Sequence, residues 1–348
     1  MRRRISLLGL ALMLLLPGAA GIAPPVPRGL SATEWLLSRD ADATPSTRLL
    51  ARAARAWSGG AVTASTGATL TVYVSDSYPP GQVAPQTWAD FFASLIHGSE
   101  LSLLVVYVAP PAEVQAICRS SEAFGCYGGN RLVVPGEPVE GVSPEDIARH
   151  EYGHHVAEHR SNPPWRAVEW GPKRWASYAN VCSRAEAGSA FPGDETANYR
   201  LNPGEGFAES YRLLNDLRAG AAAVPWLAVD ASFFPDLAAL QAVEQDVVQP
   251  WTAPGTKTFS GRAAAETSWT LPLSTPLDGT LTLVLKAPRA ALFDLSLLGP
   301  DNRVLAEGAL TGTSTKRLGF EICGQRTLSV RVTALGAFSR FSLQVSQP

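Results

Sequence analysis

The sequence lacks an excess of charge of either sign. Its 348 residues contain 29 Lys and Arg against 31 Asp and Glu, for a formal net charge of −2. Apart from Arg2, Arg3 and Arg4, there is no long run of like charges. Steering of nucleic acid or of an anionic membrane toward a protein requires a concentration of charge of one sign. We therefore expect no nucleic-acid partner.

Long hydrophobic runs are also lacking. A membrane-spanning helix needs about 18 or more apolar residues, and the N-terminal run Ile5 to Leu16 is shorter than that. It follows three arginines and precedes the small residues Gly18, Ala19 and Ala20, which is the order of a secretory signal peptide. We predict a signal peptide over residues 1–23 and a secreted or periplasmic mature protein without stable membrane insertion. An uncleaved membrane anchor is the alternative.

Cysteine is scarce, and none of the four cysteines has the spacing of a metal finger. In an exported protein such cysteines are candidates for disulfides. Cys118 and Cys126 flank a short loop that one bridge could close, and Cys182 would then pair with Cys323. Four cysteines allow three connectivities, so the sequence leaves the pairing open.

Histidine is scarce as well, with five in the chain, but four of them fall between residues 150 and 159. His150, Glu151 and His154 form the pattern H-E-x-x-H. Ser143 is a suitable N-cap for a helix over residues 144–160, and in a helix residues four apart share one face. The two imidazoles can therefore hold one Zn²⁺, and Glu151 can act as general base on a water at the open position of the metal.

The remaining residues of this helix give two further expectations. Gly153 inside a helix costs about 1 kcal/mol relative to alanine, which predicts that another segment passes close to it. His155 and His159 lack the spacing of the metal pair, so we expect them at the surface or in support of the ligands.

A catalytic zinc needs a third protein ligand. Pro203 can begin a helix that runs through Leu214, with Glu205 and Glu209 on one face. Half-buried carboxylates require a cation or hydrogen-bond donors. We predict Glu205 as the third ligand and Glu209 as the acceptor of the free N–H of a zinc-bound histidine. The reverse assignment and an ordinary solvated helix face are the alternatives.

Together, the H-E-x-x-H pattern and the later Asn202-Pro203-Gly204-Glu205-Gly206-Phe207-Ala208-Glu209 resemble the gluzincin clan of zinc peptidases, and within it the branch that includes anthrax lethal factor. The resemblance covers mainly residues 143–215. It implies one Zn²⁺ per chain on His150, His154 and Glu205, with Glu151 as base. A tyrosine shortly before the ligand helix donates to the oxyanion in that branch, which implies this role for Tyr199.

The chain is long enough for two domains. We predict an α+β protein: a helical arm or prosegment over residues 24–60, a zincin-like domain over 61–252 with a twisted sheet and a helical lower half, and an all-β sandwich over 256–348. The sandwich rests on about seven short strands that begin at Ser268. The region from Leu273 to Pro348 is similar to the bacterial pre-peptidase C-terminal domain.

Three local predictions bear on the site. Leu101 to Ala109 should be a central strand, and Arg131 to Pro135 should be the edge strand that lines a substrate cleft. The segment Gln86 to His97 should be a helix with its large apolar residues on one side. Four aromatic residues after the metal motif could form a substrate platform or belong to the core; they are Trp165, Trp170, Trp175 and Tyr178.

These features favour a secreted, zinc-dependent endopeptidase that acts on peptides or proteins. The alternative is an exported binding or adhesion protein in which the zinc is structural and the sandwich contacts glycans or the cell surface. An amidase or other hydrolase with the same metal chemistry is a third hypothesis, since only the cleft would distinguish it.

Overall fold

The computed structural model describes residues 57–289, 291–311 and 314–348. The predicted signal peptide and residues 24–56 of the predicted arm lie outside these ranges. Residues 57–60 lie inside them and belong to a β-strand rather than to a helix. The described residues form an α+β protein with eight α-helices and three β-sheets.

The first sheet has five strands in the order β1-β2-β3-β5-β4. The central strands β2, β3 and β5 are mutually parallel, whereas β1 and β4 are antiparallel to their neighbours. The strands are β1 (Trp57–Thr63), β2 (Thr69–Ser75), β3 (Val105–Ala109), β4 (Cys126–Gly128) and β5 (Arg131–Pro135).

Eight helices accompany this sheet: α1 (Pro85–Ser94), α2 (Pro111–Cys118), α3 (Pro144–Glu158), α4 (Ala167–Trp170), α5 (Lys173–Tyr178), α6 (Val181–Glu186), α7 (Pro203–Arg218) and α8 (Leu237–Val248). Helix α1 lies against β1 and β2, and α3 lies between β4, β5 and α7. The shared hydrophobic core includes Phe92, Tyr152 and Trp175.

Two predicted elements are shorter than expected. The apolar run from Leu101 does not extend as one strand, because Ser99–Leu103 forms a 3-10 turn and β3 begins at Val105. Leu101 is buried from within that turn, and an apolar run alone does not distinguish a strand from a buried turn. Helix α1 ends at Ser94, three residues before the predicted end.

The predicted edge strand is an internal strand. Arg131–Pro135, which is β5, pairs with β3 on one side and with β4 on the other. Gly129 and Asn130 both have positive φ, at 56° and 66°, as a tight hairpin turn requires. The hairpin places the short strand β4 outermost, so β4 forms the edge of the sheet.

The C-terminal region consists of two antiparallel sheets in the orders β10-β9-β13-β7 and β11-β12-β8-β14-β6. Side chains of both sheets form one separate hydrophobic core. All seven predicted strands are present, and β6 and β11 are additional. The strands are β6 (Gly255–Ala263), β7 (Ser268–Ser274), β8 (Gly279–Lys286), β9 (Phe293–Leu298), β10 (Val304–Glu307), β11 (Ala309–Thr311), β12 (Thr315–Ile322), β13 (Thr327–Ala334) and β14 (Ser339–Gln347).

Both disulfides connect cysteines in the predicted pairs. Cys118 is bridged to Cys126, which fastens α2 to β4. Cys182 is bridged to Cys323, which fastens α6 to the residue after β12. Such bridges fit an exported protein. Within the described ranges, no helix is long and apolar enough to cross a membrane.

Polar contacts also join the two regions. Lys173 Nζ donates to Pro163 O at 2.7 Å and to Asp278 O at 3.0 Å. Asp278 N donates to Ser177 Oγ at 2.9 Å, and an Arg326 guanidinium nitrogen donates to Ser177 O at 2.7 Å. The disulfide at Cys182 and this buried group of hydrogen bonds therefore hold the same junction.

Candidate metal centre

The two helices that carry the predicted site residues are both capped as their sequences suggest. Ser143 Oγ accepts a hydrogen bond from Asp146 N at 3.0 Å at the start of α3. Asn202 Oδ1 accepts one from Gly204 N at 3.0 Å at the start of α7. Each cap sets the residue at which its helix begins. The helical period then sets the positions of the predicted ligands along that helix.

Helices α3 and α7 cross in close contact at Gly153. A Cβ atom at this position would lie 2.7 Å from Ala208 Cα and 3.1 Å from Ala208 O. Real Cβ atoms do not approach a backbone atom so closely, because van der Waals contact between carbon atoms begins at about 3.5 Å. The close segment expected from the sequence is thus the backbone of α7 itself.

The crossing brings the three predicted ligands together. His150 Nε2 lies 3.2 Å from Glu205 Oε2 and 3.3 Å from His154 Nε2. His154 Nε2 lies 3.6 Å from Glu205 Oε1. All three side chains are buried, and together they form a group that could hold a metal ion.

Another group of potential ligands in the described residues consists of Cys182, Glu186 and Cys323. Its two sulfur atoms are joined in a disulfide. A disulfide sulfur is not the thiolate that metal coordination requires, so this group is not a second metal centre.

Glu151 is buried on the same helix as the two histidines. Its carboxylate lies against Gly125, the residue before β4, where an added Cβ would be 2.9 Å from Glu151 Oε1. A side chain at position 125 would therefore displace the carboxylate. Because glycine has no side chain, Gly125 leaves room for the Glu151 carboxylate between α3 and the edge of the sheet.

Tyr199 lies in the 3-10 turn Tyr199–Leu201, just before α7. Its side chain is buried, and its hydroxyl donates a hydrogen bond to Glu205 Oε2. The tyrosine identified by resemblance therefore contacts the carboxylate of a predicted ligand. Its role as oxyanion donor stays a prediction.

Glu209 lies one turn after Glu205, behind His150. Its Oε2 is 3.7 Å from His150 Nδ1, the ring nitrogen that faces away from the ligand group. Arg212 grips the same carboxylate with two donors, Nε to Oε2 at 2.9 Å and a terminal nitrogen to Oε1 at 2.7 Å. The amide of Trp226 donates to Oε1 at 2.7 Å.

These contacts keep Glu209 ionised. Burial raises the pKa of Glu209, but the Arg212 charge and the polar contacts from His150 and Arg212 outweigh it and lower the pKa to about 2. A carboxylate held by a guanidinium is a fixed acceptor for a ring N–H. The 3.7 Å between His150 Nδ1 and Glu209 Oε2 is longer than a hydrogen bond, and in the described residues Nδ1 has no hydrogen-bond partner. Glu209 thus faces this nitrogen as a charge, and its role as hydrogen-bond acceptor for His150 stays a prediction.

Arg212 and Trp226 are site residues that the sequence analysis missed. The Trp226 ring stacks on His150, with centroids 5.5 Å apart and planes at 27°. The Arg212 guanidinium lies 4.2 Å from the centre of the same Trp226 ring. Position i+3 on a helix is within reach of a carboxylate, so Arg212 could have been found from its spacing to Glu209. Trp226 lies on a loop and left no such signal.

The two other histidines of the motif region are structural. His155 is fully buried, with Nε2 2.9 Å from Glu100 O and Nδ1 3.0 Å from the Tyr127 hydroxyl. A carbonyl only accepts, so Nε2 carries the proton and Nδ1 accepts from the tyrosine. Burial lowers the pKa of His155 to about 4. Of the two alternatives predicted, a surface position is wrong for His155, and its ring nitrogens contact Tyr127 and Glu100 rather than a predicted ligand. His159 contacts Asn130 Oδ1 through Nε2 at 2.6 Å.

The four aromatic residues after the motif do not form one platform. Trp175 is 1% exposed and belongs to the core. Trp165 and Trp170 are half-buried and stack on each other with centroids 5.0 Å apart. Tyr178 is exposed, and its hydroxyl donates to Asp236 at 2.6 Å. Core packing is thus correct for Trp175, and also for Trp170, which is half-buried and packs against the same core.

A cavity of about 340 Å³ adjoins the ligand group. His154 lines it together with Tyr127 and Gly128 of the edge strand β4, and Glu169 and Glu195 lie among its other walls. The cleft is therefore bordered by the true edge of the sheet, which is β4 rather than the predicted β5.

No family model matches the sequence, and no curated protein matches it. The pre-peptidase C-terminal domain of a collagenase from Bacillus anthracis is 12% identical with a TM-score of 0.22, and the match covers 26% of this chain and 88% of that one. The Yersinia pseudotuberculosis-derived mitogen is 17% identical with a TM-score of 0.23, over 27% of this chain and 87% of that one. Bacillus licheniformis lipase BlEst2 is 9% identical with a TM-score of 0.23, and the match covers 70% of this chain and 60% of that one. At these TM-scores the similarities carry no argument about fold or function.

Proposed function

We propose that the protein is a secreted, zinc-dependent endopeptidase of the gluzincin type, with a zincin-like domain and a β-sandwich. The spacing of the predicted ligand atoms carries this proposal. The Nε2 atoms of His150 and His154 are 3.3 Å apart, and each lies near one oxygen of Glu205: His150 Nε2 is 3.2 Å from Oε2, and His154 Nε2 is 3.6 Å from Oε1. In a tetrahedral site with ligands at ~2.0–2.1 Å from zinc, neighbouring ligand atoms are about 3.3–3.4 Å apart. Two imidazole nitrogens and one carboxylate oxygen are also a donor set of catalytic zinc in hydrolases.

The side chains of the site have separate roles in this proposal. A bound Zn²⁺ supplies Lewis acidity that polarises a substrate carbonyl. Glu151 accepts a proton from the attacking water at its carboxylate and returns it to the leaving amine nitrogen. Tyr199 donates its hydroxyl hydrogen bond to the developing oxyanion. Glu209, held by Arg212, keeps His150 in its orientation.

The cleft supports a peptide or protein as substrate. It is open to solvent beside the outward edge of β4, where an extended chain can pair with the strand backbone. The C-terminal sandwich is accessory in this proposal and mediates contact with the cell surface or glycans. Its connections to α5 and α6 run through Lys173, Ser177 and Cys182, and none of these three residues lines the cleft.

The proposal is tested by metal analysis of the mature protein together with digestion of a peptide library, with and without chelator. We expect one zinc per chain and cleavage that the chelator abolishes. Glu151→Gln should keep the zinc and lose about 10²–10⁴-fold in kcat, the usual contribution of general acid–base catalysis. Glu145→Gln is the matched control, because Glu145 lies exposed on the same helix.

Two outcomes would count against the proposal. A metal-replete Glu151→Gln protein that cleaves at the wild-type rate would remove Glu151 from the mechanism. Zinc at one per chain without cleavage of any peptide would favour the exported binding protein with a structural metal.

A further inference from the structure

One end of the C-terminal sheets exposes large apolar side chains. The strands β8 and β13 end there. The described residues 287–289 and 291–292 lie between β8 and β9, and residues 335–338 lie between β13 and β14. Leu292 is 63% exposed, Leu335 55% and Phe338 65%. Leu335 N donates to Leu292 O at 2.8 Å, so the two loops adjoin. We define these three residues as the apolar tip.

The exposure of these large apolar side chains points to an interaction site. Single exposed apolar residues are common on protein surfaces, but adjacent ones on neighbouring loops mark interaction sites. An added Cβ at Gly336 would lie 4.0 Å from Leu292 Cβ, so the loops are in contact rather than merely at the same end. The contact brings Leu292 and Leu335 together, and Phe338 follows three residues later on the second of these loops.

Basic residues lie directly beside the apolar tip. Arg262 on β6 is opposite Arg340 on β14, two residues after Phe338. Lys286 on β8 is opposite Ser342, the next residue of β14 on the same face. These three basic side chains line a groove of about 830 Å³, and in the part of the chain that the structure describes no ion pair includes any of them.

The charge of this end is locally positive. Like charges directly opposite on neighbouring strands destabilise a sheet, so the pair of Arg262 and Arg340 carries a cost that an anionic partner would relieve. The acidic residues at the same end are Glu266 and Asp294, and Asp294 is paired with Lys316 at 2.7 Å. The net charge of −2 for the whole chain conceals this concentration.

We propose that this end of the C-terminal sheets docks on an anionic phospholipid surface. The apolar tip enters the interface between headgroups and acyl chains, while Arg262, Lys286 and Arg340 contact lipid phosphates from the adjacent groove. Apolar insertion combined with cationic side chains is the physical requirement for peripheral binding to anionic lipid. An anionic polysaccharide would use the groove but would leave Leu335 and Phe338 exposed.

The test is co-sedimentation of the full mature protein with vesicles of phosphatidylglycerol and phosphatidylcholine, compared with phosphatidylcholine alone. We expect binding to the anionic vesicles only, weakened by added salt. Leu335→Ser combined with Phe338→Ser should lower the partition coefficient by about tenfold or more, because both side chains lose their buried apolar area. Arg262→Glu combined with Arg340→Glu should abolish binding.

Matched controls separate the surface from general effects of substitution. Leu237→Ser replaces another exposed leucine, 71% exposed, on α8 of the other region. Arg303→Glu reverses a charge at the opposite end of β9, where the arginine side chain is 75% exposed. Both controls should bind anionic vesicles as the wild type does. All variants are surface changes, and an unchanged circular dichroism spectrum verifies their folding.

Four results would overturn the proposal. The first is no binding of the wild type to anionic vesicles, and the second is binding that both double variants retain. The third is binding to a soluble anionic polysaccharide that competes with vesicles and is indifferent to Leu335→Ser with Phe338→Ser, which would assign the groove to a glycan. Self-association that disappears in the same double variant would assign the tip to a second copy of the chain.

Discussion

At the scale of single residues, Arg212 lies at the centre of a buried cluster of charged side chains. It is buried, pairs with Glu209 at 2.7 Å and with Asp216 at 2.6 Å, and covers Trp226. Burial raises the pKa of Asp216 to about 6, against the opposing charge of Arg212. The guanidinium is therefore the arginine counter-charge of Glu209, and it shares Asp216 with Arg149, whose terminal nitrogen lies 3.3 Å from Asp216 Oδ1.

We predict that Arg212→Met destabilises the protein by about 3–5 kcal/mol, because removal of one partner leaves buried charge uncompensated. The measurement is urea unfolding at neutral pH. The control is Arg218→Met: its pair with Glu244 is half-exposed, at 51% and 43%, and should be worth about 1 kcal/mol or less. Equal effects of the two substitutions would show that Arg212 is not the counter-charge of the cluster.

At the scale of elements, the site depends on how closely α3 and α7 cross. Ala208 of α7 occupies the space into which a side chain at Gly153 would point. Because both helices bring ligands to the same point, a change in their separation moves His150 and Glu205 apart. Packing and metal geometry therefore depend on the same contact.

We predict that Gly153→Ala destabilises the protein by about 1–3 kcal/mol, the usual cost of overpacking, and lowers its zinc affinity. The direction of the stability change is informative, because alanine in a helix normally stabilises a protein by about 1 kcal/mol relative to glycine. Thermal unfolding and a competitive zinc titration measure the two effects. Gly319→Ala is the control, since a Cβ there meets nothing within 4 Å, and a stabilised Gly153→Ala protein would contradict the prediction.

The sequence predicted those elements that carry strong local signals. The capping chemistry of Ser143 predicted the start of α3 and Pro203 predicted the start of α7, and the ligand spacing on each helix follows from its period. The convergence of His150, His154 and Glu205 depends on a long-range crossing. The need for a third ligand and the resemblance predicted which residues meet, whereas Gly153 indicated only that another segment lies close to α3.

Elements without a periodic signal were missed or misplaced. Strand β4 has three residues, too few for an alternating pattern, so β5 was taken as the edge. Strand β6 is mostly exposed and polar, and it lacks the apolar alternation by which half-buried strands are recognised. Trp226 stacks on His150 from a loop, and no local sequence pattern predicts the conformation of that loop.

At the scale of the whole molecule, the two regions meet around a buried cation. The ammonium of Lys173 is 5.0 Å from the centre of the Trp251 ring and 5.8 Å from that of Trp165, in addition to its hydrogen bonds to Pro163 O and Asp278 O. Burial lowers the pKa of Lys173 from 10.5 to about 8, although Asp278 and Asp246 act in the opposite direction. The junction therefore contains a group whose protonation differs between the native and unfolded states.

The sign of the resulting pH dependence follows from that difference. Between pH 8 and 10.5 the unfolded chain keeps the Lys173 proton that the native state has released, so the free energy of unfolding rises with pH across this window. Below pH 8 both states are protonated, and the native state bears the full cost of burying the Lys173 charge.

We predict that the stability of the wild type relative to Lys173→Met increases from pH 8 to 10.5, as measured by urea unfolding at a series of pH values. Lys257→Met, at an exposed lysine, should give a difference that is flat with pH, and a flat difference for Lys173→Met would mean that the junction buries no titrating cation.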